Sequence, residues 1–225
     1  MMKTLTKIKN SKALVTLVWV LGILVIWEIF AFVVQATKRT PENIMPHIWQ
    51  IAYSFIDPKP VSSGMTCFQV VIYNAGQTLS RAGQGFFIGM IIGFALAILM
   101  KLSRIVEKIA APYLMLIQLI PILGMAPIIL AMTHDIGSSR IIIAAILTFY
   151  PVATNTLAGL NSVEKQKYEL MYSYAAKQST VYFKMLIPSC IPYFFTGLKI
   201  AAPMAITASI LVDTLQGDGG LGCML

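Results

Sequence analysis

Charged side chains are scarce in this sequence and acidic ones scarcer still: 12% of its 225 residues are Asp, Glu, Lys or Arg, and nine are acidic. A soluble domain carries about 25% charged residues, so with 57% hydrophobic residues a water-soluble globule is excluded. Histidine is nearly absent. His47 and His134 stand far apart and outside any HExxH pattern, and no metal site is expected. The three cysteines, Cys67, Cys190 and Cys223, show neither a CxxC spacing nor the density of a disulfide scaffold. No phosphate loop of the form Gly, four residues, Gly-Lys-Ser/Thr occurs, so the chain does not bind ATP by that route. No set of carboxylates, histidines or a Ser/Lys nucleophile with its partner can be assembled either, and the chain is not expected to be an enzyme. The net charge of +8 would suggest nucleic acid on a soluble chain. Here it fits cytoplasmic segments facing an anionic leaflet, and nucleic-acid binding is not expected.

Long apolar runs are what the sequence has in abundance. They predict an all-α polytopic transmembrane bundle of about five spans, since a crossing takes about 20 apolar residues. A basic segment, 1–12, with Lys3, Lys7, Lys9 and Lys12, precedes a first apolar run from Ala13 to Val34 in which Glu28 is the only charge. A signal peptide cleaved after Ala36 is the rival reading, but its apolar core is about 7–15 residues and this run is longer. From 36 to 84 the chain is more polar. Pro41, Pro46, Pro58 and Pro60 interrupt it, and Ile44, Ile48, Ile51, Ala52 and Phe55 have helical spacing, which predicts an external loop holding an amphipathic helix.

A second span is expected from Arg81 to Met100, with Gly85, Gly89 and Gly93 forming a smooth stripe for a neighbouring helix. After Lys101, Arg104 and Lys108 comes the run Ile109 to Met132. Pro112, Pro121 and Pro127 should kink or break it, and Gln118 on the same segment makes it a candidate for lining a polar path. His134, Asp135 and Arg140 predict an outer turn, followed by a fourth span, Ile141 to Leu157, with Pro151 and Asn155 near its inner end. The 161–184 segment is helix-like but too polar to cross, and belongs to the cytoplasm. A last span runs from Pro188 to Val212, with Lys199 inside it and Asp213 at its outer end. The whole of 13–225 then forms one transmembrane domain. With the N-terminus inside, eleven basic residues fall on inner segments and five (Lys38, Arg39, Lys59, Arg81 and Arg140) on outer ones, the direction the positive-inside rule requires.

The stretch Glu169-Leu170-Met171-Tyr172-Ser173-Tyr174-Ala175-Ala176-Lys177, with Ile187-Pro188 following, resembles the cytoplasmic EAA loop of ABC importer permeases. Phe149-Tyr150-Pro151, Phe195-Thr196-Gly197-Leu198-Lys199 and Gly220-Leu221-Gly222 are similar to the nitrate, sulfonate, taurine and thiamine-precursor branch of that family. The resemblance implies the permease subunit of an ATP-driven importer in a bacterial plasma membrane. Its expected partners are a second copy of itself, two cytoplasmic ABC ATPases that hold ATP and Mg, and an external solute-binding protein. It makes 161–184 a coupling loop whose ATPase-facing residues are Glu169, Leu170, Met171, Ala175, Ala176 and Lys177. The translocation path is expected to use Gln118, Pro121, Pro127, Asn155 and Lys199, and Asp213 to cap its span or meet an external partner.

Ala175 stands where the family has Gly, and Leu170-Met171 replace a pair of alanines. The family also continues past Gly-Leu-Gly into one more helix, so a truncated chain that assembles poorly is expected. Lys199 has two readings: attraction for an anionic or polar solute, or a lysine that snorkels or pairs within the assembly. The rival class, an ATP-independent carrier or channel, would concentrate ionisable groups at mid-membrane or show repeated broken helices. Lys199 is the one clear intramembrane charge, and no internal repeat is visible.

Overall fold

The computed structural model describes residues 12–37, 44–62, 64–216 and 219–224. They form two compact units, Met1–Val71 and Ile72–Leu225. In the first unit the apolar run without internal proline becomes α1, Lys12–Thr37. After the prolines comes the short helix α2, Ile48–Ile56. Glu28 does not face lipid alone. Its Oε1 lies 2.7 Å from His47 Nδ1, the other ring nitrogen lies 3.0 Å from Gln35 Oε1, and Trp27 Nε1 donates to the Pro46 carbonyl. These contacts pin the start of α2 against α1 and leave His47 6% exposed.

The stretch expected to be loop up to residue 84 is more ordered than that. A two-stranded antiparallel hairpin, β1 (Pro60–Ser62) with β2 (Met65–Thr66), leads directly into α3, Cys67–Leu102. This helix starts well before the expected Arg81. The cause is local: Thr66 and Gln69 form a capping box, with the Gln69 amide donating to Thr66 Oγ1 and the Thr66 amide donating to Gln69 Oε1. No proline follows to stop the helix. At 1.5 Å per residue α3 is about 54 Å long against a hydrocarbon core of about 30 Å, so its polar N-terminal half need not be loop to lie outside the membrane.

In the second unit the apolar run with three prolines is broken, as expected. Helix α4, Arg104–Leu119, is capped by Ser103, and α5, Ile122–Thr133, begins after Pro121. The two axes are bent by 109°. His134 in the left-handed conformation ends α5, and Asp135 caps α6, Ile136–Asn161, accepting from the Ser138 amide at 2.6 Å. Arg140 is therefore inside a helix rather than in a turn. The polar segment then gives α7, Lys165–Ser173, and α8, Gln178–Val181. A π-helical turn at Tyr182–Leu186 joins α8 to α9, Ile187–Gln216, and a 3₁₀ turn, Leu221–Met224, follows. The last long helix thus begins at Gln178, inside the segment expected to be wholly extramembrane.

Four helical stretches among the described residues are long and apolar enough to cross a membrane, and the bent α4–α5 pair makes up to five. The architecture is an all-α multi-pass membrane bundle. Helix α6 is the axis of the second unit. On one side Gly85, Gly89 and Gly93 let α3 approach so closely that a Cβ at Gly89 would stand 2.5 Å from the Ala145 carbonyl oxygen and 2.7 Å from Thr148 Cβ. On the other side Gly159 meets Cys190 and Tyr193, and Gly197 meets Pro151, Val152 and Asn155. Lipid gives no hydrophobic drive between helices, so such close van der Waals contact is what holds a bundle together.

Candidate functional site: the coupling segment and the polar groups of the bundle

The Asn161 end of the bundle is tied by a few polar contacts. Lys101 at the end of α3 donates to Asn161 Oδ1 at 2.7 Å and lies 5.8 Å from the centre of the Tyr168 ring. The Tyr182 hydroxyl donates to the Lys101 carbonyl at 3.2 Å. Burial pushes the Tyr168 phenol up from its ordinary pKa. Met171, Ala176 and Tyr168 pack on a small core of Ala97, Leu160, Val181, Leu186 and Cys190, which fastens α7 under α3, α6 and α9.

Helix α7 ends in a Schellman motif. The Ala176 amide donates to the Met171 carbonyl at 3.1 Å and the Ala175 amide to the Tyr172 carbonyl at 2.9 Å. This puts Ala175 at φ +49°, the left-handed region that favours glycine. The family's Gly at this place thus has a backbone reason, and the Ala here is strained. Glu169, Leu170, Ala175 and Lys177 are exposed, while Met171 and Ala176 are half-buried. Lys177 also starts α8. The six residues therefore share one element but face two ways.

The residues expected to line a path are not all brought together. Gln118 and Pro121 border a hollow of about 240 Å³ at the α4–α5 break, with Tyr150 of α6 and Met204 of α9 across from them. Asn155 does not line it: its Nδ2 donates to the Pro151 carbonyl at 2.7 Å, inside the contact with Gly197. Pro127 and Lys199 do not line it either. Both are exposed on their helices.

Asp213 is fully buried at the opposite end of the bundle. Its Oδ1 lies 2.9 Å from Arg140 Nε, also fully buried, and 3.7 Å from Arg81 NH1. Thr78 Oγ1 donates to Oδ2 at 2.7 Å, and in turn accepts from the Leu221 amide. Asn74 receives the Gly220 amide, and Arg81 donates to the Gly219 carbonyl. Gly220, at φ +109°, leaves no room for a Cβ against the Asp213 carboxylate, and Gly222 packs just as tightly on the Ile210 carbonyl. The Gly-Leu-Gly run is thus a backbone plug laid on a buried ion pair. The carboxylate is engaged within the chain by this network. The sequence reading missed Thr78, Arg140 and Tyr182. Thr78 and Asp213 are 135 positions apart, and no local period connects them.

Comparison with known proteins agrees with this architecture. The profile described as binding-protein-dependent transport system inner membrane component matches residues 85–225. The formylaminopyrimidine transport permease protein ThiX of Halalkalibacterium halodurans is 29% identical over 214 residues, covering 95% of this chain and 80% of that one. The nitrate import permease protein NrtB of Synechococcus elongatus is 26% identical over 202 residues, covering 88% and 70%. The bicarbonate transport system permease protein CmpB of the same organism is 26% identical over 220 residues, covering 95% and 76%. A crystal structure of an amino acid ABC transporter with histidines superposes with a TM-score of 0.60 at 21% identity, over 70% of this chain and 76% of that one. That likeness is one of fold.

Proposed function

Because this chain belongs to the family of binding-protein-dependent transport system inner membrane components, and so is a permease subunit of an ABC importer rather than an enzyme, we propose how it engages its partners. Helix α7 and the turn at Ala175 form the surface that a cytoplasmic ABC ATPase grips. The observation that carries this is the exposure of Leu170, Tyr172 and Tyr174, at 57%, 62% and 79%, on a segment too polar to enter the bilayer. Apolar groups so placed in water call for a protein cover. The ATPase holds ATP and Mg, and this chain supplies the lever. Movement of α7 pulls on Met171 and Ala176, and through them on the ends of α6 and α9 beside the π-helical turn, an irregularity that often marks functional sites.

The N-terminus is cytoplasmic in this proposal, supported by the excess of basic residues on the segments that then lie inside. Two copies form the path. One copy offers a hollow at the α4–α5 break, and the exposed face of α9 carries the polar residues Thr196, Lys199 and Thr207. An external binding protein delivers the solute. The named relatives are permeases for a formylaminopyrimidine, nitrate and bicarbonate, and a small polar solute is proposed here as well.

The test uses Glu169→Ala and Ala175→Asp in the complete transporter. Asp adopts the left-handed conformation more readily than Ala, so the turn is preserved while a charge enters the docking face. Loss of uptake and of solute-stimulated ATP hydrolysis with normal membrane insertion is the expected result. Wild-type uptake in both variants would overturn the coupling assignment.

A further inference from the structure

Several charged side chains described within the long helices have a partner. Glu28 has His47, Arg81 and Arg140 have Asp213, and Lys101 has Asn161. Lys199 makes no ion pair or hydrogen bond with a described residue, and it is exposed. Its depth follows from packing. Two residues before it, Gly197 rests on Pro151 and Val152, in the middle third of α6. Along its own helix it lies about 21 Å from Asp213 and about 22 Å from Lys184, at 1.5 Å per residue.

A lysine reaches only about 6 Å, which is too short to snorkel from the middle of a core about 30 Å thick. An ammonium left in hydrocarbon there is costly. The face around it carries polar groups beside the exposed Ile200 and Ile206. Thr196 and Thr207 are exposed on it, as are Pro192 and Pro203. Pro203 has no amide hydrogen, so the Lys199 carbonyl four residues earlier lacks its helical donor. A freed carbonyl at membrane depth is tolerated where it meets protein or a water-filled cavity. A second copy offers no deep acid to neutralise Lys199: of the acids described within the spans, Glu28 and Asp213 are already engaged and Glu107 stands in the first turn of α4.

We propose that Lys199 is the charge-selecting residue of the translocation path and that the solute is a small anion. This rests on the permease reading above and adds the substrate class. Anions would be concentrated at mid-membrane by an ammonium inside a narrow low-dielectric passage, where field focusing is strongest.

The test places a reporter thiol one turn away. In the complete transporter, with Cys67, Cys190 and Cys223 replaced by Ser or Ala, Thr196→Cys is reacted with a sulfonatoethyl and a trimethylammonioethyl methanethiosulfonate. The anionic reagent should react faster. The anion-to-cation rate ratio should fall about tenfold when Lys199→Gln is added and be kept by Lys199→Arg, in line with focusing effects of 10-fold or more in charged clefts. An unchanged ratio in the Gln variant, or no reaction with either reagent, overturns the proposal. Copurification of the ATPase is read on the same preparations. ATPase retained with an unaltered ratio rejects the anion assignment alone, whereas no ATPase with the unsubstituted protein rejects the permease reading and this proposal with it.

Discussion

At the Asp213 end of α6 and α9, a carboxylate, two guanidinium groups and a threonine hydroxyl are sealed under a glycine turn that leaves no space for a side chain. At the Asn161 end, the same two helices are joined by a lysine, a tyrosine hydroxyl and a strained turn, with Leu170, Tyr172 and Tyr174 open to solvent. Buried charges are strong constraints because breaking one leaves the other unpaired in a low dielectric. Exposed polar contacts are weak and easily exchanged. The Asp213 end is therefore built to stay as it is, and the Asn161 end is the one proposed to be completed and moved by the ATPase.

The largest effect should come from breaking the Asp213 end. Asp213→Ala leaves Arg140 buried without its counter-charge and should destabilise the protein by about 3–5 kcal/mol, read as a drop in the unfolding midpoint in detergent. Replacing both partners, Asp213→Leu with Arg140→Met, should recover most of the loss, because the cost lies in the unpaired charge and not in the missing bond. A double replacement as damaging as the single one would show that the end is held by the shape of the glycine turn alone.

Next in size is the helix contact that both ends share. Gly89→Ala forces a Cβ against the Ala145 carbonyl and Thr148 and should cost about 1–3 kcal/mol. Gly83→Ala, with nothing within 4 Å, should be neutral or slightly stabilising. Equal unfolding midpoints for the two variants would mean that the α3–α6 contact is looser than described.

That glycine stripe was legible in the sequence, since a four-residue interval of small residues on an apolar helix has few other uses. So was the break at Pro121, where the lost amide and the ring leave the helix no way to continue unbent. The early start of α3 was legible in principle through the Thr66 and Gln69 box, but the polarity of Gln69, Asn74 and Gln77 points to loop when a helix is assumed to end with the membrane. The Arg140 and Asp213 pair was not legible. Each looks like an interfacial charge near a helix end, and only the tertiary fold brings them together. Leu170 and Glu169 could be placed on one segment from the sequence, yet which of the loop's residues face inward depends on the Schellman turn, and the Ala at its left-handed position conceals that turn.

A smaller effect sharpens the Asn161 end. Ala175→Gly relieves the left-handed strain and should stabilise the loop by about 1 kcal/mol, visible as slower proteolysis within 165–181 with no change at the Asp213 end.

The smallest effect concerns the cap of α6. Ser138, through its hydroxyl and amide, holds the Asp135 carboxyl below its ordinary range. A depressed folded value means that the contribution is complete above the unfolded value of about 3.9 and is lost as the pH falls through the folded one. Asp135→Asn keeps a capping oxygen and should abolish this acid dependence in the unfolding midpoint while changing little at neutral pH.

The central claim, the proposal that the Asn161 end is an incomplete surface finished by an ATPase, is tested most directly by charging that surface. Leu170→Asp with Tyr174→Asp should abolish copurification of the coexpressed ABC ATPase while the unfolding midpoint set by the Asp213 end stays at its wild-type value. Recovery of the ATPase at wild-type yield with both charges in place would contradict the account.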